Sequence, residues 1–473
     1  MFILIHQLKE KLGYYLTIEA LLYSLLVDKL NISKTKDQNK VEKLNQLLKI
    51  INSDTKLSKL LKDMKELKKD ISNTYAIQSV IRITCKNFKA YRKAYEEYLK
   101  EPSKFNGVPK PPKPKKLKNI DRFTVELNKL SFKILNGILH IKLHNGKKVK
   151  VKMPKYLINP SSVRITYYLG FAFIDIVFDK YIEELNPLFN HKAGIDLGVE
   201  NFITLVSNGR NIPSLVIKSA HLKSYNQWFN KLLASLRSEL DLLRNEYKEN
   251  KNDELLLKII ELERRIKNLY LDRKKWMENL VHQIAKALAL YLHRTGHDCV
   301  YVGNNLLEAK QCSNMSKKNN QNFIQIPFRL FLDKLVYKLQ WFGIKLYEVD
   351  ESWTSKSSCI SDDVLKIQRK FRKILKLDDD KEKGKQIGIL KNSMSGVRFT
   401  RSLFKDTKIN KVLHADVNGA FNILKVGLKA KELFNNLDSK VIMKLCNPIK
   451  NNIFKFCEFV LNKATSEPFY IEW

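Results

Sequence analysis

Hydrophobic positions change their spacing several times along the 473-residue chain. Over residues 16–100 the spacing is helical. Leu21, Leu22, Leu25 and Leu26 mark one apolar face, and Leu44, Leu47, Leu48 and Ile51 another. Lysines fill the remaining faces, so "KLSKLLKDMKELKKD" (56–70) reads as a basic amphipathic helix. The stretch "EPSKFNGVPKPPKPKKLKN" (101–119) is too rich in proline for a helix or a central strand, and reads as a linker or basic arm. Next, "FTVELNKLSFKILNGILHIKL" and "SVRITYYLGFAFIDIVFD" carry β-branched and aromatic runs broken by NG and LG turns. They predict a small antiparallel barrel or sandwich ending near residue 185.

The pattern then changes again. A strand at 194–198, a turn at "GVEN" and a strand at 202–207 predict a hairpin. Leu232, Leu236, Leu240, Leu243 and Tyr247 step by fours and threes, as do Ile259, Leu262, Ile266 and Leu269. With a loop at 248–253 they predict an antiparallel helical hairpin running on to Gly296. "DCVYVGN" (298–304) is a strand, 326–343 a helix opened by Pro327 and closed by Gly343, and "IKLYEVDE" (344–351) another strand. That succession implies a parallel, right-handed crossover. Residues 352–411 read as irregular and basic, and a last helix begins at Asp416 with Ala420, Ile423 and Leu424 on its buried side. An antiparallel hairpin, parallel crossovers and a closing helix form the element order of an RNase H-like nuclease fold.

Charge narrows the partner. Lys and Arg number 86 against 49 Asp and Glu, a net charge of +37 with pI near 9.7. Such a surplus calls for a polyanion, nucleic acid before membrane. The length implies two to three domains. The six cysteines are scattered with no CxxC pair, which argues against a disulfide framework and against a thiolate zinc site. The N-terminal apolar run is too short for a signal peptide, and "IEALLYSLLV" and "YYLGFAFIDIVF" fall short of a membrane span. An intracellular protein without a membrane partner is expected.

Two acids stand out against this background. Asp196 sits inside an apolar strand, where an ionised carboxylate is costly unless something positive accompanies it. Asp416 opens a helix, whose dipole favours a carboxylate. Taken singly, Asp416 is a capping acid and Asp196 a turn residue before Gly198. Taken together in this element order, they point to Mg²⁺. In-line phosphodiester hydrolysis uses two such ions, and their hard oxygen preference is met by two or three carboxylates.

The motifs around these acids resemble a known family. "AGIDLGVENFITLVS" and "HADVNGAFNILK" are similar to the first and third RuvC motifs of the TnpB (OrfB) proteins. Those are transposon-encoded RNA-guided nucleases related to type V CRISPR effectors and to Fanzor proteins. "SLVIKSAHLKSYNQWFNKLLASL" and "RKKWMENLVHQIAKAL" resemble the family's helical pair, and "DESWTSKSSC" its TS motif region. "SGVRFTRSLF" (395–404) resembles a segment that replaces half of the zinc ribbon in some members. The likeness is specific over 190–430, weaker over 100–190 and only architectural over 1–100.

The resemblance implies an α/β multi-domain protein. A RuvC nuclease domain with a helical hairpin insertion would follow a β-barrel wedge domain and a helical recognition lobe. The expected boundaries are 1–15 for the start of the wedge region, 16–100 for the helical lobe and 101–189 for the basic arm and barrel. Residues 190–351 would form the nuclease domain, 352–411 a basic insertion in place of the zinc ribbon, 412–430 the final helix and 431–473 a tail. The implied activity is RNA-guided, Mg²⁺-dependent cleavage of target DNA, chosen by a guide RNA and a short flanking motif. A nuclease-inactive RNA-guided repressor and a type V CRISPR effector remain open alternatives. A resolvase or integrase without a guide fits the basic helical lobe poorly.

The chain departs from the family pattern twice. The ribbon's CxxC pairs are missing, and Cys359 has no cysteine nearby in sequence, so no zinc is expected. The insertion must then fold by other contacts or on nucleic acid. Gly303 and Asn304 also stand where the family's middle glutamate usually follows its strand. Glu351 is the expected replacement, because it ends the adjacent parallel strand, about 4.8 Å away. Glu308 is the alternative and needs its loop to fold back. Asp350 should face the other way along the strand. Some family members carry a glutamate relocated in this manner. Lys356, Arg398 and Arg401, in the basic insertion, are expected near the cut strand.

Overall fold

The computed structural model describes residues 74–105, 107–110, 112, 122–142, 148–154, 159–179, 190–304, 321, 324–377, 379–430, 433 and 439–462. The helices expected over 16–73, most of the basic arm, and Glu308 lie outside these residues. The chain divides into two compact units, Met1–Tyr181 and Ile182–Trp473.

The first unit holds helix α1 (Thr74–Lys100) and six strands: β1 (Arg122–Asn128), β2 (Phe132–Leu135), β3 (Ile138–Lys142), β4 (Lys148–Lys152), β5 (Ser162–Tyr168) and β6 (Phe171–Val177). They form two three-stranded antiparallel sheets, β1–β5–β6 and β2–β3–β4. Alternating residues of both sheets, among them Val125, Leu127, Leu139, Ile141 and Val163, share one apolar core. The NG signal marks the β2–β3 turn, where Asn136 and Gly137 both take positive φ, the requirement of a tight hairpin.

The second unit is built on a six-stranded sheet. Its strands are β7 (His191–Leu197), β8 (Asn201–Ser207), β9 (Leu215–Lys218), β10 (His297–Gly303), β11 (Lys345–Val349) and β15 (Ile449–Asn452), in the spatial order β11–β10–β7–β8–β9–β15. β7, β8 and β9 form an antiparallel meander, whereas β10 and β11 run parallel to β7. Helices cover both faces, so the central strands read as nearly unbroken apolar runs. One face carries α3 (Asp253–Arg294) and α4 (Phe328–Gln340), packed against Ala193, Ile195 and Leu205. The other carries α7 (Ala415–Leu428), whose Ala420, Phe421 and Leu424 meet Val206 and Val216. The helical hairpin of α2 (Ala220–Glu249) and α3 closes on Leu236, Leu240, Ile259, Leu262 and Leu269, with Asn252 capping α3.

Three expectations need correction. Residues 352–411 are not irregular. They form α5 (Val364–Ile374), α6 (Asp380–Asn392) and a small antiparallel sheet of β12 (Gly396–Arg398), β13 (Leu403–Asp406) and β14 (Lys411–His414). Buried hydrogen bonds and one aromatic side chain hold this insertion. Asp362 accepts from Ser358 N at 2.7 Å and from Ser395 Oγ at 2.6 Å, and Asp406 pairs with the Ser358 hydroxyl. The fully buried Phe404 ring lies against Gly396, where any Cβ would overlap it. Second, strand β11 stops at Val349, so Glu351 lies in the turn beyond it, not at the strand's end. Third, β9 was not foreseen, and the expected tail carries α8 (Ser439–Cys446), β15 and α9 (Ile453–Asn462). β15 pairs in parallel with β9 and extends the sheet. Among the described residues, no helix is long and apolar enough to cross a membrane.

Candidate active site

Four acids line one open cleft of about 620 Å³, and the three not held in an arginine–lysine pairing like that of Glu200 come from three elements. Asp196 is the penultimate residue of β7. Asp416 lies in the first turn of α7, whose N-cap is His414, so it is not the capping residue. Glu351 comes from the turn after β11. Its carboxylate lies over Gly303, at the end of β10: a Cβ built on Gly303 would stand 2.0 Å from Glu351 Oε2. Gly419, one turn into α7, has a similar part, since a Cβ there would come within 2.8 Å of Asp196 Oδ2. Two glycines thus open the space that two of the carboxylates fill.

Electrostatics set the character of the cleft. Burial pushes the Asp196 carboxyl well above the usual carboxylate range, and the neighbouring Asp416 and Glu351 push it further. The Arg398 guanidinium opposes them. Arg398 also donates to Asp416 Oδ1 at 3.0 Å, while Asn201 Nδ2 donates to Asp416 Oδ2 at 2.6 Å. Glu200, on the same cleft, is paired with Arg401 at 3.0 Å and with Lys223. An all-oxygen donor set with a desolvated carboxylate short of positive charge fits a hard divalent cation in kind. As the side chains are placed, no three His, Cys, Asp or Glu among the described residues form a ready-made metal cage. Arg398 supplies the counter-charge to Asp416 instead.

Helix α7 fixes the turn that carries Glu351. Asn418, Asn422 and Lys425 share one side of this helix, and all three are buried. Asn418 donates to Ser357 O and accepts from Cys359 N, both at 2.8 Å. Asn422 donates to Thr354 O and Ser357 O at 2.8 Å, and Lys425 to Cys359 O and Asp362 O. From the other side, Gln368 on α5 donates to Asp350 O and Ser352 O at 2.9 Å. Within this clamped turn Trp353 takes φ 69°. A bulky residue there carries strain of about 1–3 kcal/mol.

Of the residues singled out from sequence, Asp196, Glu351, Asp416, Arg398 and Arg401 all line the cleft. Lys356 does not; its ammonium stands 5.2 Å from the ring centroid of Trp353, which does. Asp350 is paired with Arg372, at 3.1 Å, and is not among the residues lining the cleft; since β11 ends at Val349, the turn and not strand alternation sets its direction. Sequence reasoning missed Asn201 and Trp353. Asn201 sits in the quoted "GVEN" turn, but only the tertiary structure links it to Asp416. Trp353 sits in the quoted "ESWTS" segment, with nothing to mark its backbone conformation.

The chain is an α/β protein with carboxylates gathered in an open, arginine-flanked cleft. Two family profiles match it: OrfB_IS605, described as a probable transposase, over residues 183–308, and the Cas12f1-like TNB domain over 328–423. A TnpB-like protein, ORF457 of Acidianus two-tailed virus, is 30% identical over 278 residues. That match covers 57% of this chain and spans half the length of the viral protein. Over residues 183–308 and 328–423 the chain is thus similar to TnpB-type (OrfB) proteins. Among solved structures, it is similar at 15% identity to a Cas12f1–sgRNA–target DNA complex, with a TM-score of 0.47 over 88% of this chain and 82% of the other. A second, a CRISPR–Cas12f ternary complex, is also 15% identical, with a TM-score of 0.32 over 89% and 82% of the two chains.

Proposed function

We propose that this protein is an RNA-guided DNA endonuclease. Its second unit is an RNase H-like, RuvC-type domain that hydrolyses phosphodiesters with Mg²⁺. The observation that carries this reading is the convergence of Asp196, Glu351 and Asp416 on one cleft, where desolvation and the two neighbouring acids raise the Asp196 carboxyl above the usual carboxylate range. The strand order supports it: an antiparallel meander continued by two parallel strands, with an acid on the central strand. The net charge of +37 suits a protein that holds both a structured RNA and a DNA.

Asp196, Glu351 and Asp416 would hold the metal. Bound there, divalent ions would activate a water and offset charge on the leaving oxygen. Asn201 orients the Asp416 carboxylate by its 2.6 Å hydrogen bond. Arg398 and Arg401 bring positive charge to the cleft for the phosphates of the cut strand. Guide pairing would read the target sequence while the protein reads backbone and a short flanking motif.

The test is to purify the full chain with the RNA it retains, sequence that RNA, and offer a plasmid bearing the matching target. Cleavage that needs Mg²⁺ and the matching sequence supports the proposal. Bound RNA and target binding without cleavage under any divalent ion would turn it into a nuclease-inactive repressor. Cleavage indifferent to the RNA would remove the guide.

A further inference from the structure

Trp353 is held in a conformation that bulky residues rarely adopt, and the fold works to keep it there. Its carbonyl accepts from Lys356 N at 3.1 Å, Ser357 N at 3.0 Å and Ser357 Oγ at 2.9 Å. Thr354, the next residue, bonds back to Glu351 O through both its amide and its hydroxyl. Backbone outliers of this kind persist where the surroundings over-determine them, and they cluster at ligand sites. The strain does not serve burial. The indole meets Phe371 edge-on at 5.2 Å, yet it is only partly buried and lines the cleft with the three acids. The turn therefore presents an aromatic surface beside Glu351, two residues away. Lys356, exposed and 5.2 Å from the ring centroid, adds a cation at that surface.

An aromatic surface, a flexible ammonium and two guanidiniums match a strand of alternating nucleobases and phosphates. We infer that Trp353 is a stacking platform for one unpaired nucleobase of the strand entering the cleft, with the Lys356 ammonium passing from the indole to an adjoining phosphate. The base must be unpaired and unstacked on one side, because both faces of a base inside a duplex are already covered. The inference rests on the proposed function only in placing a nucleic-acid strand in this cleft. It adds that the strand arrives single-stranded and is registered by a ring contact beside the acids. Trp353 is thus a positioning residue.

The test uses the full chain with its RNA and Asp196→Ala to prevent cutting. A single-stranded DNA is scanned position by position with 2-aminopurine, then with abasic sites. One position should be quenched by the wild-type ring, retain most of that quenching in Trp353→Phe and lose it in Trp353→Gly. Trp353→Gly should weaken DNA binding roughly tenfold. An abasic site at the quenched position should cost the same and add little in the glycine variant. Glycine accepts φ 69° without strain, so Trp353→Gly should melt no lower than the parent. Unchanged quenching in Trp353→Gly, or ring and base effects that simply add, would overturn the inference; a lower melting point with unchanged quenching would make the indole a packing residue. The two readings fail separately. Target cleavage by the wild type with no quenched position ends the stacking platform alone, quenching without cleavage ends the nuclease alone, and no DNA binding at all ends both.

Discussion

The carboxylate of Glu351 occupies the space into which a side chain on Gly303 would grow. Gly303 ends β10, the strand that lies between β7 and β11. An acid from the next strand's trailing turn therefore delivers its charge to the end of β10 without belonging to it.

Gly303→Ala should consequently disable the site. The backbone of Gly303 lies outside the left-handed region, so alanine costs the fold little, but its Cβ would displace the Glu351 carboxylate. A misplacement near 1 Å can lower the cleavage rate roughly 100-fold. Glu351→Gln should abolish cleavage, and Glu308→Gln should retain most of it. Adding Gly303→Glu to Glu351→Ala should restore measurable Mg²⁺-dependent nicking. Activity at wild-type level in Gly303→Ala would place the middle acid elsewhere.

Asp196→Ala and Asp416→Ala should each eliminate cleavage while RNA binding, measured by filter retention, stays within a few-fold. Asp196→Asn carries a second expectation. Without metal, the wild-type carboxylate is desolvated beside two other acids, so removing its charge should raise Tm in EDTA. A lower Tm in EDTA would assign Asp196 a structural role.

Neutralising Lys356, Arg398 and Arg401 together should slow cleavage at least tenfold and change guide-RNA affinity less than threefold, on the order of effects seen for local charge contacts. Parallel losses in rate and RNA affinity would mean that these cations serve RNA retention.

Nucleic-acid affinity should fall steeply with salt. With about ten phosphate contacts, raising salt from 50 to 200 mM should weaken binding roughly 10³-fold or more. Titrations at several salt concentrations give the slope directly, and a flat line would leave the net charge without a polyanionic partner.

Away from the cleft, His297 should make stability fall in mild acid. It is fully buried on β10, with Nε2 2.8 Å from Ser207 Oγ and Nδ1 2.8 Å from Thr295 Oγ1, and burial lowers its pKa to about 4. As pH drops below 6.5, the unfolded chain takes up the proton and the folded chain does not. The contribution is therefore intact above pH 6.5 and is lost as pH falls towards 4, reaching about 3 kcal/mol. The Tm difference between pH 7 and pH 5 should shrink in His297→Gln.

Much of the second unit could be read from spacing alone. The helical hairpin and the parallel strands follow from apolar periodicity, Asp196 stands out as an acid inside an apolar strand, and Asp416 as the acid at the start of a helix. Strand β9 escaped because "LVIK" is four residues long and, buried apart from Lys218, shows no alternation. β15 escaped because "IKNN" has no strand character of its own and exists by pairing with β9. In α5 the apolar positions Val364 and Ile367 are hidden among basic residues. The buried polar side of α7 was beyond sequence reasoning, because Asn418, Asn422 and Lys425 find their partners some sixty residues away.

The mounting of Glu351 also decides how this protein can exchange segments with its relatives. The carboxylate is inherited with residues 350–362, which α7 and α5 hold in place, and not with β10. A chimera joined anywhere between 304 and 350 to a partner whose glutamate follows β10 inherits the wrong number of acids. With this protein's N-terminal part it has none; with the partner's it has two, competing for the volume above residue 303. If Glu351 is the third metal-holding acid, recombination in that interval would be sterile in both directions, and a lineage with the displaced glutamate would be isolated from those with one after β10, even where the surrounding sheet stays interchangeable.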